Sequence, residues 1–192
     1  MKDNIISLQG ISKTYEDNTV LDGLNLDIKK RGKMMKVAVV MGSKSDYPKV
    51  QEGIELLEKY GVSVVVRALS AHRTPVQLTE FLNEIEDEAD VIIGAAGKAA
   101  HLPGVIASQT LIPVIGLPIK SSTMDGLDSL LSIVQMPKGI PVATVAIDGG
   151  LNAALLALQI MSLKYPKIKD DLVLYREEME QKVLEDDKNL RG

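Results

Sequence analysis

The stretch KVAVVMGSKSD at residues 36–46 decides the fold of this chain, because an aliphatic run gives way abruptly to a loop of small and polar residues. The run is rich in β-branched valine, which favours a buried strand over a helix. After the loop, the apolar residues Val50, Ile54 and Leu57 recur at helical spacing, and Gly61 stands where a left-handed helix cap is expected. A strand followed by a short loop and a helix is the repeating unit of a parallel sheet.

This unit recurs along the chain. Five aliphatic runs are predicted as strands: Lys36–Met41, Ser63–Ala68, Asp90–Ala95, Ile112–Leu117 and Pro141–Ile147. Helices are predicted at Tyr47–Tyr60, from Pro75 with Thr74 as N-cap, from Ser122 or Thr123 to Gln135, at Leu151–Leu163 and in the charged tail Ile168–Asp187. Crossovers between parallel strands are right-handed, so we expect an α/β fold: a three-layer, doubly wound, flavodoxin-like sheet in the order 2-1-3-4-5 with a C-terminal helix.

The composition of the 192 residues excludes several classes of protein. There is no cysteine, so disulfides, zinc–thiolate sites and thiol nucleophiles are ruled out. The formal net charge of −4 argues against binding to a phosphate backbone, so no nucleic-acid partner is expected. The sequence has no apolar run of about 18 residues, and we therefore expect no membrane partner and a cytoplasmic protein.

Polar residues follow the predicted strands at one edge of the sheet, where doubly wound sheets bind their ligands. The first loop carries Ser43 and Asp46, which suit an anion and the hydroxyl groups of a ribose. On this loop alone, a plain helix-capping role for Ser45 or Asp46 is an equal alternative. In the second loop, Arg73 is a natural bidentate ligand for phosphate. Together the two loops predict a site for a phosphorylated ligand.

Both histidines of the chain, His72 and His101, follow predicted strands at this same edge. Histidine has a pKa suited to proton transfer near neutral pH, so we expect His101 to be a general acid and base. Its loop, residues 97–102, carries small side chains that let a flat ligand approach the backbone closely. A structural role is the alternative, and we favour it for His72.

Roughly from Met35 to Asp187, the chain resembles the PurE family in motif order and spacing. The motifs that carry the resemblance are Val39–Asp46, Ser70–Pro75, Ala99–Gly104, Gly126–Leu130 and Ser132–Pro141. The resemblance points to the class I branch of the family, the 5-(carboxyamino)imidazole ribonucleotide mutases of purine biosynthesis. It implies a cofactor-free and metal-free transfer of a carboxylate from the exocyclic nitrogen to C4 of the aminoimidazole ring.

The resemblance also implies roles for individual residues. His101 matches the catalytic proton shuttle of the family. The residues implied to bind the substrate are Ser43, Asp46, Ser70, His72, Arg73, Gly97, Lys98, Ala99 and Leu102. A homo-octamer is implied as well, with the apolar helix Leu151–Leu163 and the C-terminal tail as packing surfaces.

Two other functions stay open at this point. One is an aminoimidazole ribonucleotide carboxylase that uses free carbon dioxide, and the other is a non-catalytic flavodoxin-like module that binds a nucleotide. The loop before His101 also departs from the bacterial mutases, which have glycine where this chain has Ala95 and Lys98. Lys98 either attracts the carboxylate of the substrate or points into solvent.

Residues 1–33 form a separate region, which we expect to be a hairpin-like extension of a catalytic domain at residues 34–192. Two segments, Ile5–Tyr15 and Val20–Ile28, resemble the start of an ABC-transporter ATPase. The region has no phosphate loop, so ATP hydrolysis is not expected of it. We interpret it as a fused or passenger segment.

Overall fold

The computed structural model describes residues 4–16, 18–29, 34–122 and 124–191. The chain divides into two compact units, Met1–Lys33 and Met34–Gly192. The smaller unit is an antiparallel hairpin of β1 (Asn4–Tyr15) and β2 (Asn18–Lys29). Gly10 and Gly23 have positive φ angles of 62° and 61°, a conformation that glycine adopts without strain, and the strand register shifts beside Gly10.

The larger unit is built on a five-stranded parallel sheet. Its strands are β3 (Lys36–Met41), β4 (Ser63–Ala68), β5 (Val91–Gly97), β6 (Val114–Ile119) and β7 (Ala143–Thr144). They lie in the order β4-β3-β5-β6-β7, and every neighbouring pair is parallel. This is the predicted order 2-1-3-4-5, so the doubly wound topology is confirmed.

Helices cover both faces of this sheet. They are α1 (Tyr47–Lys59), α2 (Pro75–Ile85), α3 (Leu102–Ala107), α4 (Leu127–Val134), α5 (Gly150–Ser162) and α6 (Pro166–Arg191). Alternate residues of β3 separate the two layers, because Val37 and Val39 pack with α1, α5 and the start of α6, whereas Ala38 and Val40 pack with α2, α3 and α4. The three-layer architecture is therefore also confirmed.

The fifth predicted strand is much shorter than expected. We predicted Pro141–Ile147, but only Ala143 and Thr144 pair with β6. Proline has no N–H group for a ladder, and this strand lies at the edge of the sheet, where the chain leaves soon after pairing. The third and fourth strands begin one and two residues later than predicted and end two residues later, at Gly97 and Ile119. The loops that follow these two strands therefore also begin later than expected.

Several helix boundaries also differ from the prediction. Helix α3 was not predicted, because a segment of six residues is too short to show a helical period. Helix α4 begins at Leu127 rather than at Ser122, since Met124 and Asp125 adopt left-handed φ angles of 52° in a short 3₁₀ turn; Thr123 lies outside the described residues. The tail helix extends beyond both predicted ends, to Pro166 and Arg191.

The start of α2 was predicted correctly in position but not in chemistry. Pro75 is the first helical residue and Thr74 precedes it, as expected. The Thr74 side chain, however, makes no capping bond to the helix, and its Oγ1 accepts a hydrogen bond of 2.8 Å from the Ser70 N–H instead. Thr74 thereby stabilises the loop before the helix.

The prediction for the end of α1 is confirmed. The expected left-handed residue after this helix is Gly61, with a φ angle of 77°.

Within the described ranges, no helix combines the length and the apolar character that crossing a membrane requires.

Candidate active site

A cavity of about 650 Å³ opens beyond the carboxyl ends of β3, β4, β5 and β6. This volume is within the range of small-molecule sites. All the predicted site residues line it: Ser43, Asp46, Ser70, His72, Arg73, Gly97, Lys98, Ala99, His101 and Leu102. The sheet topology brings them together from three loops that are separated in sequence.

The loop after β3 is organised by its own hydroxyl groups. Ser43 begins a 3₁₀ turn at Lys44–Asp46, and its Oγ accepts hydrogen bonds from the Ser45 N–H at 3.3 Å and the Ser45 hydroxyl at 2.9 Å. Burial raises the pKa of the Asp46 carboxyl, although hydrogen bonds from Ser45 and Ser43 and the charge of Arg73 act in the opposite direction. Asp46 precedes α1 but makes no side-chain capping bond. Its carboxylate therefore lines the cavity without capping the helix.

The loop after β4 holds Arg73 against the first loop. The Arg73 Nη2 donates a hydrogen bond of 2.7 Å to the carbonyl of Gly42, and its Nε donates to the Ser70 hydroxyl at 3.3 Å. Among the residues that the structure describes, no carboxylate forms an ion pair with this guanidinium. The contacts fix the orientation of the side chain and leave its positive charge available to a ligand.

The two histidines contact each other across the cavity wall. The Nε2 of His72 and the Nδ1 of His101 are 3.0 Å apart, and the rings meet edge to face at an angle of 82°. One of these two nitrogens donates the shared proton and the other accepts it. The Nε2 of His101 is the ring nitrogen outside this bond. His72 therefore fixes the orientation of His101, a contact that the sequence alone did not indicate.

The loop after β5 combines close packing with one strained residue. A Cβ atom at Gly97 would lie 3.2 Å from the carbonyl oxygen of Ile119, so the two strands approach each other closely here. Leu102 is buried, whereas Lys98 is exposed at the cavity. Lys98 has a φ angle of 57°, in the left-handed region, which costs a residue other than glycine about 1–2 kcal/mol.

A fourth wall comes from the segment after β6, which our set of predicted site residues did not include. It comprises Ile119, Lys120, Ser121 and Ser122. The rule of carboxyl ends places this segment directly after the fourth predicted strand, at the same edge of the sheet, but nothing in the sequence assigned its residues a role.

Asp148 braces this wall from a distant part of the sequence. Its Oδ1 accepts a 2.8 Å hydrogen bond from the Lys120 N–H, and its Oδ2 lies 2.7 Å from the Lys49 Nζ. Burial acts to raise the pKa of Asp148, but the hydrogen bonds and charges of the two lysines outweigh it and lower the pKa below its usual value. The carboxylate thus joins the start of α1 to the end of β6.

In the described part of the chain, no group of three or more His, Asp or Glu residues is arranged to hold a metal ion. The side chains that line the cavity offer instead positive charge, hydroxyl groups and imidazole nitrogens. Such a set suits an anionic, hydrogen-bonding ligand and a proton-transfer step.

Comparisons with known proteins identify the family of this chain. A model of the AIR carboxylase family matches residues 36–182. The N5-carboxyaminoimidazole ribonucleotide mutase of Pyrococcus abyssi is 58% identical over 147 residues, which are 76% of this chain and 84% of the relative. The protein of the same name from Saccharolobus solfataricus is 52% identical over 152 residues, covering 79% of this chain and 96% of the relative.

Solved structures agree as well. The crystal structure of PurE from Treponema denticola superposes with a TM-score of 0.76 at 33% identity, covering 82% of this chain and 99% of that one. The segment matched by the family begins at the first residue of β3 and includes every residue that lines the cavity. The resemblance to PurE proteins is thereby confirmed, and the chain belongs to the AIR carboxylase family.

Proposed function

We propose that this chain is an isomerase of purine biosynthesis that interconverts N5-carboxyaminoimidazole ribonucleotide and 4-carboxy-5-aminoimidazole ribonucleotide. Relatives at 44–58% identity carry the mutase name, and they cover most of the larger unit. The observation within the chain that supports the proposal most directly is the position of His101, oriented by His72 in a cavity lined by small side chains.

The ribonucleotide is held through its phosphate and its ribose. Arg73 contacts the phosphate, because its charge is unpaired among the described residues and its Nη1 is not used by the bonds to Gly42 and Ser70. The Ser43 hydroxyl adds a polar contact at the start of the adjacent helical turn. The Asp46 carboxylate accepts hydrogen bonds from the ribose hydroxyls.

The aminoimidazole ring and its carboxylate occupy the space between the loops after β4 and β5. Gly97 and Ala99 allow the ring to approach the backbone, and Leu102 supplies a buried apolar contact. Ser70 and His72 offer polar groups on the opposite side. The bound nucleotide would cover this space and keep a neutral molecule of carbon dioxide near the ring while it is detached.

His101 moves one proton in each half of the reaction. In the first half, the bond between the exocyclic nitrogen and the carboxyl carbon breaks, carbon dioxide leaves, and His101 supplies a proton to the nitrogen. In the second half, C4 of the ring attacks carbon dioxide to form a carbon–carbon bond, and His101 accepts the proton that C4 loses. The imidazole ends in its starting state, so a single histidine serves both steps.

The test is to incubate the purified chain with N5-carboxyaminoimidazole ribonucleotide, without ATP, and to follow formation of the C4 carboxylate. Conversion supports the proposal. Efficient carboxylation of aminoimidazole ribonucleotide with bicarbonate, and none of the carbamate, would assign the carboxylase function that the family description names. Tight nucleotide or flavin binding without either reaction would indicate a non-catalytic module.

We also propose that the protein is a homo-octamer located in the cytoplasm. Support for an assembly comes from α6, which exposes apolar side chains along its length: Val173, Leu174, Met179, Val183 and Leu184. Exposed apolar surface of this kind is typical of protein contacts. Sedimentation equilibrium of the full chain measures the subunit number, and a monomer would contradict this part of the proposal.

The amino-terminal region, residues 1–33, is proposed to be a passenger that neither the fold nor the reaction requires. The family match begins after it, at residue 36. Deleting this region should leave the turnover rate and the subunit number unchanged, and a change in either would give the region a role.

A further inference from the structure

Lys98 is an unusual residue for its position in the loop after β5. Its φ angle of 57° lies in the left-handed region, which glycine adopts without strain and lysine does not. Strain of this kind is often retained where the side chain contributes to a functional site. Because Lys98 also lines the cavity, the question is which ligand group its ammonium would contact.

The charged side chains around the cavity indicate which ligand group the Lys98 ammonium contacts. Three cationic side chains line it: Arg73, Lys98 and Lys120. Lys120 forms an ion pair of 3.1 Å with Asp125, and Arg73 donates hydrogen bonds to Gly42 and Ser70. Within the described ranges, the Lys98 Nζ has neither a hydrogen-bond acceptor nor a carboxylate partner. Two cations thus remain without an ion pair, and the proposed substrate carries two anionic groups, a phosphate and a carboxylate.

The position of each cation assigns it to one of these groups. Arg73 is attached to the loop of Ser43 and Asp46, which suits the ribose and its phosphate. Lys98 stands three residues before His101 on the same loop, and both residues line the cavity, so its ammonium is assigned to the carboxylate that His101 helps to move. We propose that Lys98 is the specificity residue that binds the substrate carboxylate and distinguishes carboxylated from uncarboxylated aminoimidazole ribonucleotide. This inference rests on the proposed function.

The chemistry of lysine fits this role. Its ammonium is a point charge on a flexible four-carbon stem, so it can contact the carboxylate both on the exocyclic nitrogen and on C4. Between these two states the transferred group is neutral carbon dioxide, to which the ammonium is not strongly attracted. Lys98 therefore stabilises the bound substrate and the bound product more than the intermediate, and its removal should raise KM without lowering kcat.

The experiment compares the full-length chain with two variants that keep a long side chain at this position. Lys98→Met removes the charge, and Lys98→Arg restores a cation as the matched control. Affinities are measured by calorimetry for 4-carboxy-5-aminoimidazole ribonucleotide and for aminoimidazole ribonucleotide, which lacks the carboxylate. We expect Lys98→Met to bind the carboxylated nucleotide about tenfold more weakly, equivalent to about 1.4 kcal/mol. Binding of the uncarboxylated nucleotide should change less than about twofold, and Lys98→Arg should recover most of the loss.

Three results would overturn the inference. If Lys98→Met weakened the binding of both nucleotides equally, the ammonium would contact the phosphate instead. If the affinity for both were unchanged, the ammonium would point into solvent. A large fall in kcat without a change in KM would indicate a role in the chemical step. Turnover by the wild-type chain distinguishes a failure of this proposal from a failure of the proposed function. If the wild type converts the carbamate, these results test only the role of Lys98. If it does not, both the proposed function and the role of Lys98 are wrong.

Discussion

Helices α1 and α5 cross at two glycines, and the contact can be tested by adding one methyl group at each. A Cβ atom at Gly150 would lie 2.0 Å from the carbonyl oxygen of Lys49, and a Cβ atom at Gly53 would lie 2.5 Å from the carbonyl oxygen of Gly150. Both obstacles are backbone atoms, so no side-chain rotation relieves them. Either substitution must move the two helices apart.

The structure gives the order and the approximate size of the two effects. Ordinary contact begins at 3.4 Å, so the shortfall is about 1.4 Å for Gly150→Ala and about 0.9 Å for Gly53→Ala. Replacing a glycine in the middle of a helix by alanine gains about 1 kcal/mol in helix propensity, whereas overpacking costs about 1–3 kcal/mol or more. Gly150 is the first residue of α5 and gains less. We expect losses in unfolding free energy of about 3 kcal/mol for Gly150→Ala and about 1 kcal/mol for Gly53→Ala.

Urea unfolding measures these free energies, at one fixed protein concentration because an assembly makes stability depend on concentration. Asn152→Ala is the control, since this residue is exposed on the same helix and its replacement should change stability by less than about 0.5 kcal/mol. If either glycine variant were as stable as the wild type, the close crossing of the helices, and the reasoning from it, would be wrong.

Three further predictions concern charge and strain around the cavity. Asp148 has a lowered pKa in the folded state, so it stabilises the fold above its unfolded pKa of about 3.9 and loses this effect at lower pH. Asp148→Asn should therefore lower the unfolding free energy at pH 7, and urea titrations should show that the difference from the wild type shrinks below about pH 4. Asp46 has a raised pKa, so its charged form disfavours folding at neutral pH, and Asp46→Asn should raise the urea midpoint at pH 7 but not near pH 3. Lys98→Gly relieves about 1–2 kcal/mol of left-handed backbone strain, but the added entropy of the unfolded chain costs about 0.4–1 kcal/mol. We therefore expect thermal unfolding to show a fold more stable by roughly 1 kcal/mol, whereas Lys98→Met, which keeps the strain, should show no such gain.

The sheet topology was predictable from the sequence because it follows from a repeated local pattern and a rule of handedness. Most aliphatic runs of the larger unit are followed by a helix-period segment, and right-handed crossovers leave few possible strand orders. Strand ends were less predictable, since pairing depends on neighbours that the sequence does not display. Ala143 and Thr144 alone pair at the edge, although the apolar pattern continues to Ile147.

The cavity was largely predictable because the carboxyl ends of parallel strands converge on one edge. Contacts between distant loops were not predictable from the sequence. The bond between His72 and His101 spans 29 positions, and the ion pair of Lys49 with Asp148 spans 99. The left-handed backbone of Lys98 was also hidden, because lysine gives no local signal for a conformation that is typical of glycine.

The central claim is that His101 transfers the protons of the carboxylate rearrangement, and the most direct measurement is single-turnover kinetics of His101→Asn with N5-carboxyaminoimidazole ribonucleotide. Asparagine keeps a polar side chain of similar size near His72 but does not transfer protons at neutral pH. We predict a loss of about 10²–10⁴-fold in the rate of the chemical step, with nucleotide affinity changed less than a few-fold. Wild-type turnover by His101→Asn at saturating substrate would contradict the account.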